Sequence, residues 1–272
     1  MAHFVISDKI DLPGKGEDYV VEGYTEDKSH AIACIADGVS RSEESKQGSL
    51  IAAQTACRRL KYTFENEELI PDYNSIYAEI VNELNRISAS HILLAPKYTQ
   101  SLFATTLITG FINDSAAQFS FVGNGAIIQM RKEWWDLTDD NLLLLGIINY
   151  LNPHILLKDG DTPLYKVLKV DQSHSGMEPD VITINSNTVA DSIFLICSDG
   201  LCTSEDFTFF HHPEEGEFYR KENPRLMHFL QTLKRHKESI RSTPGEFILD
   251  FRESIVKKDL ISDDLSYALF IP

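Results

Sequence analysis

Two short apolar runs, at 31–36 and 192–198, are too short for buried helices and pass straight into Asp-Gly, which predicts buried strands that end in turns. A third run at 265–271 follows Asp263-Asp264 and predicts a last strand. Between them the period changes. Over 43–66, Leu50, Ala53, Cys57, Leu60 and Phe64 recur every three or four residues, and over 75–94 Ile76, Ile80, Leu84 and Ile87 form one stripe. Both patterns predict helices with one face turned to a core. Segments 102–111, 117–122 and 126–132 alternate or run apolar around Asn113-Asp114 and Gly123-Asn124-Gly125, the signature of an antiparallel meander. Residues 19–21 are the expected first strand, and 181–184 is a further one. Residues 207–258 read as mostly helical, and 139–176 as an irregular excursion. No Gly/Pro/Ser-rich linker interrupts the alternation of strands with paired helices, so one α+β domain over 1–272 is expected.

Composition agrees with a packed domain. Of 272 residues, 43% are hydrophobic and 24% charged, which excludes disordered, collagen-like and disulfide-scaffold classes. The 25 Lys and Arg against 41 Asp and Glu give a net charge of −16. Such a surface repels nucleic-acid backbones and anionic lipid, so neither is an expected partner. No apolar run approaches the roughly 20 residues of a membrane span, and residues 1–10 lack the pattern of a signal peptide. Cys34, Cys57, Cys197 and Cys202 show no metal-binding spacing and fall in apolar surroundings. They read as reduced core residues of a cytoplasmic protein.

The excess acid is mostly solvated surface, but a few carboxylates are placed differently. Asp37 and Asp199 each end a strongly apolar strand, Asp263-Asp264 begins one, and Glu17-Asp18 stands before Tyr19. Each Asp-Gly taken singly is ordinary turn chemistry. Together, carboxylates brought to one rim of packed sheets repel unless a cation neutralises them, and an oxygen-only set suits Mg²⁺ or Mn²⁺ rather than Zn²⁺.

The ordered motifs Gly16-Glu17-Asp18-Tyr19-Val20, Ala36-Asp37-Gly38-Val39-Ser40, 101–107 (SLFATTL), 121–131 (FVGNGAIIQMR), 191–201 (DSIFLICSDGL) and 263–270 (DDLSYALF) resemble the metal-dependent type 2C protein phosphatases, bacterial type. The resemblance runs from about Gly14 to the C-terminus. It implies a four-layer αββα sandwich, two antiparallel sheets flanked by helix pairs. It also implies two Mn²⁺ or Mg²⁺ ions, with Asp37 bridging them, the Gly38 carbonyl on one, Asp199 and Asp263 on the other, and Glu17 and Asp18 ligating directly or through water. Asp264 occupies the place where the family has Asn, and a one-residue shift between Asp263 and Asp264 stays open.

Three departures bear on the chemistry. Asn124 stands where the family has an Asp that helps to hold a third metal, so a third ion lacks its carboxylate. Pro13 occupies the place of the family's phosphate-binding Arg, leaving Lys15 and Arg41 as nearby cations. No His follows Asp37-Gly38 as a proton donor. His211-His212 with Glu214-Glu215 reads as a solvated loop, and Trp134-Trp135 as packing against the meander. Ser198 lacks the Gly-x-Ser-x-Gly elbow of a nucleophile.

The expected activity is hydrolysis of phosphoserine or phosphothreonine in proteins by water activated between two ions, with Asp37, Asp199 and Asp263 carrying the reaction in a monomeric enzyme. A non-catalytic binding module of the same fold is the alternative from another class. Hydrolysis of phosphodiester or nucleotidyl modifications on proteins is a third possibility that the same chemistry could serve.

Overall fold

The computed structural model describes residues 3–13, 15–39, 42, 44–66, 70–94, 103–136, 147–149, 168, 178–202, 208–212, 216–220 and 223–271. In chain order the elements are β1 (Phe4–Ile10), β2 (Tyr19–Tyr24), β3 (Ala31–Ala36), α1 (Ser45–Glu65), α2 (Tyr73–Leu94), β4 (Leu107–Ile112), β5 (Ala116–Val122) and β6 (Ala126–Arg131). A 3₁₀ turn (Lys132–Asp136) and β7 (Ile147–Asn149) follow. The remainder comprises β8 (Asp180–Asn185), α3 (Ser186–Val189), β9 (Ser192–Cys197), β10 (Thr208–His212), β11 (Gly216–Arg220), α4 (Pro224–Arg235), α5 (Pro244–Lys257) and β12 (Leu265–Ile271).

The strands form two five-stranded antiparallel sheets, β1-β12-β9-β6-β7 and β2-β3-β4-β5-β8, with β10-β11 as a separate hairpin. Side-chain alternation explains why the long apolar runs are strands. In β3, Ala31, Ala33 and Ile35 point between the sheets, while Ile32, Cys34 and Ala36 point under α1 and α2. In β9, Phe194 and Ile196 face the inter-sheet layer, and Ile193, Leu195 and Cys197 face α4 and α5. Strands covered on both faces read as continuous apolar runs, as these do. The result is the expected αββα order of layers. Phe119, Phe194 and Phe270 meet in the middle layer, and Phe229, Phe247, Phe251 and Tyr267 pack edge to face in the outer one. Each such aromatic, fully buried, contributes about 1.5–3 kcal/mol.

Several expectations change. The first strand is β1, not residues 19–21: it pairs along its length with β12, from Phe4 opposite Ile271 to Ile10 opposite Leu265. Its alternation was hidden by Asp8, a buried charge made tolerable by a two-point pairing with Arg252 of α5. Residues 208–212 and 216–220 pair as β10 and β11 ahead of the helices, so His211 and His212 end a strand instead of sitting in a loop; Glu214 and Glu215 lie outside the described residues. Strand β4 starts at Leu107, later than 102, because Thr105 and Thr106 bend away to pair with the chain at Asp37 and Gly38. Trp134 is buried with the α4-α5 layer, edge-on to Trp135. All four cysteines are buried and free. Most of 139–176 lies outside the described residues.

Candidate metal centre

Four turns meet at one rim of the two sheets. Asp18 precedes β2, Asp37 follows β3, Asp199 follows β9 and Asp263 precedes β12. The backbone at Asp37 is fixed by β4's approach: Asp37 N donates to Thr106 Oγ1 (3.2 Å), while Thr106 N (2.8 Å) and Thr105 Oγ1 (2.9 Å) donate to the Asp37 carbonyl. Gly38 N donates to the Glu17 carbonyl at 3.2 Å. A Cβ on Gly38 would lie 2.7 Å from the Ser45 backbone, so only glycine lets the head of α1 come this close. Gly200 is as constrained, because its Cβ would fall 1.7 Å from the Asp264 carbonyl oxygen.

The electrostatics mark these carboxylates out. Burial raises the Asp18 carboxyl to about 6, with the facing Asp37, Ser198 and Ser266 side chains holding it back and Asp199 adding to the rise. Asp37 is pushed well above the carboxylate range, by burial first and then by repulsion from Asp18, Asp199 and Asp263. Asp199 is raised by burial and by Asp263, and eased by Asp37, by the charge of Arg225 and by Asn124. Although polar side chains face Asp18, which is 1% exposed, neither of its oxygens is engaged at hydrogen-bond geometry. Two buried oxygens left without a partner are costly in a protein interior unless a cation takes them.

This donor set fits Mg²⁺ or Mn²⁺. It is all oxygen, it carries excess negative charge, and it contains orphaned acceptors. Among the described residues no three His, Cys, Asp or Glu side chains close around a single point. The fit is therefore to ions that take one or two carboxylates each and complete their shells with main-chain oxygen and water, as Mg²⁺ does.

The acidic pair before β12 divides its work. Asp264 is buried, and its carboxylate accepts from Leu12 N (2.6 Å), Gly16 N (2.6 Å) and Glu17 N (2.8 Å), which pins the loop that presents Asp18. Asp263 is half exposed, and its Oδ1 takes the Lys15 ammonium at 2.8 Å. Asp264 is thus spent on the loop, while Asp263 adds its charge to the cluster, raising Asp37 and Asp199. Glu17 does not turn into the cluster: its Oε1 accepts from Ser45 Oγ at 2.6 Å. Arg41 lies outside the described residues. Asn124 donates its amide to Asp199 Oδ2, while its own Oδ1 is buried without a partner.

The family model for protein phosphatase 2C matches residues 16–239, most of the chain. The chain belongs to the protein phosphatase 2C family. It is therefore a metal-dependent protein serine/threonine phosphatase by family, with phosphoproteins as its class of substrate. No curated protein matches it in sequence. Among solved structures, the serine/threonine phosphatase Stp1 from Staphylococcus aureus is similar at 15% identity and a TM-score of 0.62, over 99% of this chain and 94% of that one. The catalytic domain of the serine/threonine phosphatase PstP, solved with two manganese ions, is 16% identical with a TM-score of 0.56, over 98% and 96%. RsbX in complex with magnesium is 14% identical with a TM-score of 0.55, over 98% and 94%. At these identities the likeness is one of fold.

Sequence reasoning missed three participants. Asp264 as an anchor, Thr106 as the brace of Asp37, and Arg225 near Asp199 are visible only once the turns are packed together. Arg225 lies between the 191–201 and 263–270 motifs, in the stretch read only as mostly helical.

Proposed function

We propose that Asp18, Asp37, Asp199 and Asp263, with the Gly38 carbonyl, hold two Mn²⁺ or Mg²⁺ ions, and that the chain acts as a single domain over 1–272 to remove phosphate from phosphoserine and phosphothreonine side chains. The observation that carries this reading is the set of raised, converging carboxylates around the unpartnered Asp18 oxygens. Bound divalent ions there supply Lewis-acid charge for a phosphoryl group and acidify water.

The chain's own residues do the positioning. Thr105 and Thr106 hold the Asp37 turn, Asn124 orients Asp199 by donating to one of its oxygens, and Asp264 sets the height of the Asp18 loop. Glu17, held on Ser45, serves the centre through water. Lys15 neutralises Asp263 and yields that place when a cation binds. No side-chain nucleophile is needed: the Ser198 hydroxyl accepts from Ser266 N at 2.9 Å and is buried beside Asp18. The net charge of −16 repels phosphate at long range, and divalent ions reverse that sign locally. A monomer without nucleic-acid or membrane partners fits the acidic surface; among the described residues no helix is long and apolar enough to cross a membrane. Four free buried cysteines fit a cytoplasmic setting.

The test is hydrolysis of phosphoserine and phosphothreonine peptides, an aryl phosphate and an aryl phosphodiester, with and without Mn²⁺. Metal-dependent release of phosphate from the peptides is expected. Turnover of the diester alone would move the substrate class, and no turnover of any substrate would leave only a binding module.

A further inference from the structure

Cys34 of β3 and Cys57 of α1 lie on the outer face of their sheet, in the layer where the helix packs down on β2 and β3. In the β2-β3 ladder Val21 stands opposite Cys34, and Gly23 follows two residues later on the same face. The missing side chain of Gly23 makes the slot for the Cys57 thiol: a Cβ there would lie 3.3 Å from Cys57 Sγ, tighter than ordinary contact. Ala53 and Ala56, both fully buried on the same side of α1, let the helix sit low over the strands. In this arrangement the two thiols face each other and interact directly. They differ in access. Cys34 is 0% exposed, whereas Cys57 reaches the surface with 6% of its area. They differ in acidity as well. Burial holds the Cys34 thiol well above its ordinary value. The Cys57 thiol is lowered, first by the facing Cys34 and then by the charge of Lys61 one helical turn on, with burial and Glu22 opposing.

We propose that Cys34 and Cys57 are a redox couple that closes to a disulfide when the protein meets hydrogen peroxide, fastening β3 to α1. The inference stands apart from the phosphatase reading. The Cys57 thiolate attacks one peroxide oxygen, the O–O bond breaks and hydroxide leaves, giving a sulfenic acid on Cys57. The Cys34 sulfur then attacks the Cys57 sulfur, the S–O bond breaks, and the hydroxyl departs as water with the Cys34 proton. In all, two thiols give up two electrons and two protons, and the peroxide is reduced to two waters. A dithiol reductant reverses the bond by exchange. Intracellular disulfides of this kind are transient and redox-sensing, which agrees with both cysteines being free here. The closed ring, residues 34–57, contains Asp37, Gly38 and Ser45, so the state of the pair is imposed on the segment that carries the Asp37 turn.

The experiment treats the folded full chain with hydrogen peroxide, blocks the remaining thiols by alkylation, and maps the peptides by mass spectrometry without reduction. A peptide pair joined through Cys34 and Cys57, lighter by two hydrogens and released by dithiothreitol, is expected. Ring closure should raise the melting temperature of the oxidised wild type by about 5–10 °C, a gain that dithiothreitol abolishes. Cys34→Ala should stop at the sulfenic acid, trapped on Cys57 by dimedone, and Cys57→Ala should leave Cys34 a thiol. Neither variant should gain stability from peroxide. If an alanine variant does not fold, Cys34→Ser and Cys57→Ser carry the same comparison. A bridge to Cys197 or Cys202, a bridge between two molecules, or oxidation that begins on Cys34 would overturn the proposal. So would four thiols left intact at a dose that oxidises glutathione, or a Cys34–Cys57 bridge that leaves the melting temperature where it was.

Discussion

Asn124 donates its side-chain amide to Asp199 Oδ2, so a neutral donor stands against one of four clustered carboxylates. It lies in the tight turn between β5 and β6, flanked by Gly123 and Gly125, both at positive φ. The departure from a carboxylate at this position therefore has a visible effect: it satisfies Asp199 in the protein without metal.

Asn124→Asp replaces that donor with another negative charge. The metal-free protein should lose about 1–3 kcal/mol at neutral pH, and Mn²⁺ should stabilise the variant by more than it stabilises the wild type. Thermal melts with and without Mn²⁺ check both parts; a metal-free melting temperature equal to that of the wild type would show that the contact contributes nothing.

Asp37→Asn should act in opposite directions on stability and function. Removing a carboxyl crowded by Asp18, Asp199 and Asp263 relieves repulsion, so the metal-free variant should melt above the wild type. Turnover should vanish, and with it the Mn²⁺-induced stabilisation. In the wild type that stabilisation is expected at about 2.7 kcal/mol at a hundredfold excess over Kd, or roughly 5–10 °C for a chain of this length. Scanning calorimetry of both proteins is the measurement.

The pH dependence follows from the direction of the shifts. Asp18 titrates at about 6 in the folded protein against 3.8 for the free side chain, so the folded state binds the extra proton. That favourable contribution is complete below pH 3.8 and is lost as pH rises through about 6, with Asp37 and Asp199 acting in the same sense. For Asp18 alone it amounts to about 3 kcal/mol. Metal-free protein should therefore be less stable at pH 7 than at pH 5, and saturating Mn²⁺ should remove or reverse the slope. Urea midpoints at the two pH values decide it; identical pH slopes with and without metal would contradict the clustering.

The neighbouring carboxylates before β12 should separate cleanly. Asp264→Asn strips charge from an acceptor of three backbone N–H groups and should cost about 2–4 kcal/mol. Asp263→Asn, at an exposed position paired with Lys15, should leave stability within about 0.5 kcal/mol and weaken Mn²⁺ binding instead. Denaturation and metal titration of the two variants give the comparison. A large stability loss in Asp263→Asn with intact metal binding would exchange the roles.

What could be read from the sequence was whatever alternation and strand-end chemistry express locally. The runs at β3, β9 and β12, the stripes of α1 and α2, and the four acids at strand ends all carry their signal within a few residues. Strand β1 did not, because Asp8 breaks its apolar pattern and is neutralised only by Arg252, 244 residues away. The β10-β11 hairpin was absorbed into an expected helix because Phe209, Phe210 and Phe218 fit either period over so short a stretch. Which of Asp263 and Asp264 faces the centre depends on three N–H groups of the loop at 12–17, information that no local pattern holds.

Strand β12 lies between β1 and β9 in its sheet, and the turn leading into it brings in Asp263 and the anchor Asp264. A ribosome thus makes residues 11–264 before β1 gains its partner or β9 its second neighbour. Until then both strands present open edges, the state in which sheet proteins are captured by other chains. Closing the sheet and bringing Asp263 up to Asp37 and Asp199 become one event, late and non-local. Metal can then reward only molecules in which β12 has docked, and chains in which it has not stay inert toward phosphoproteins.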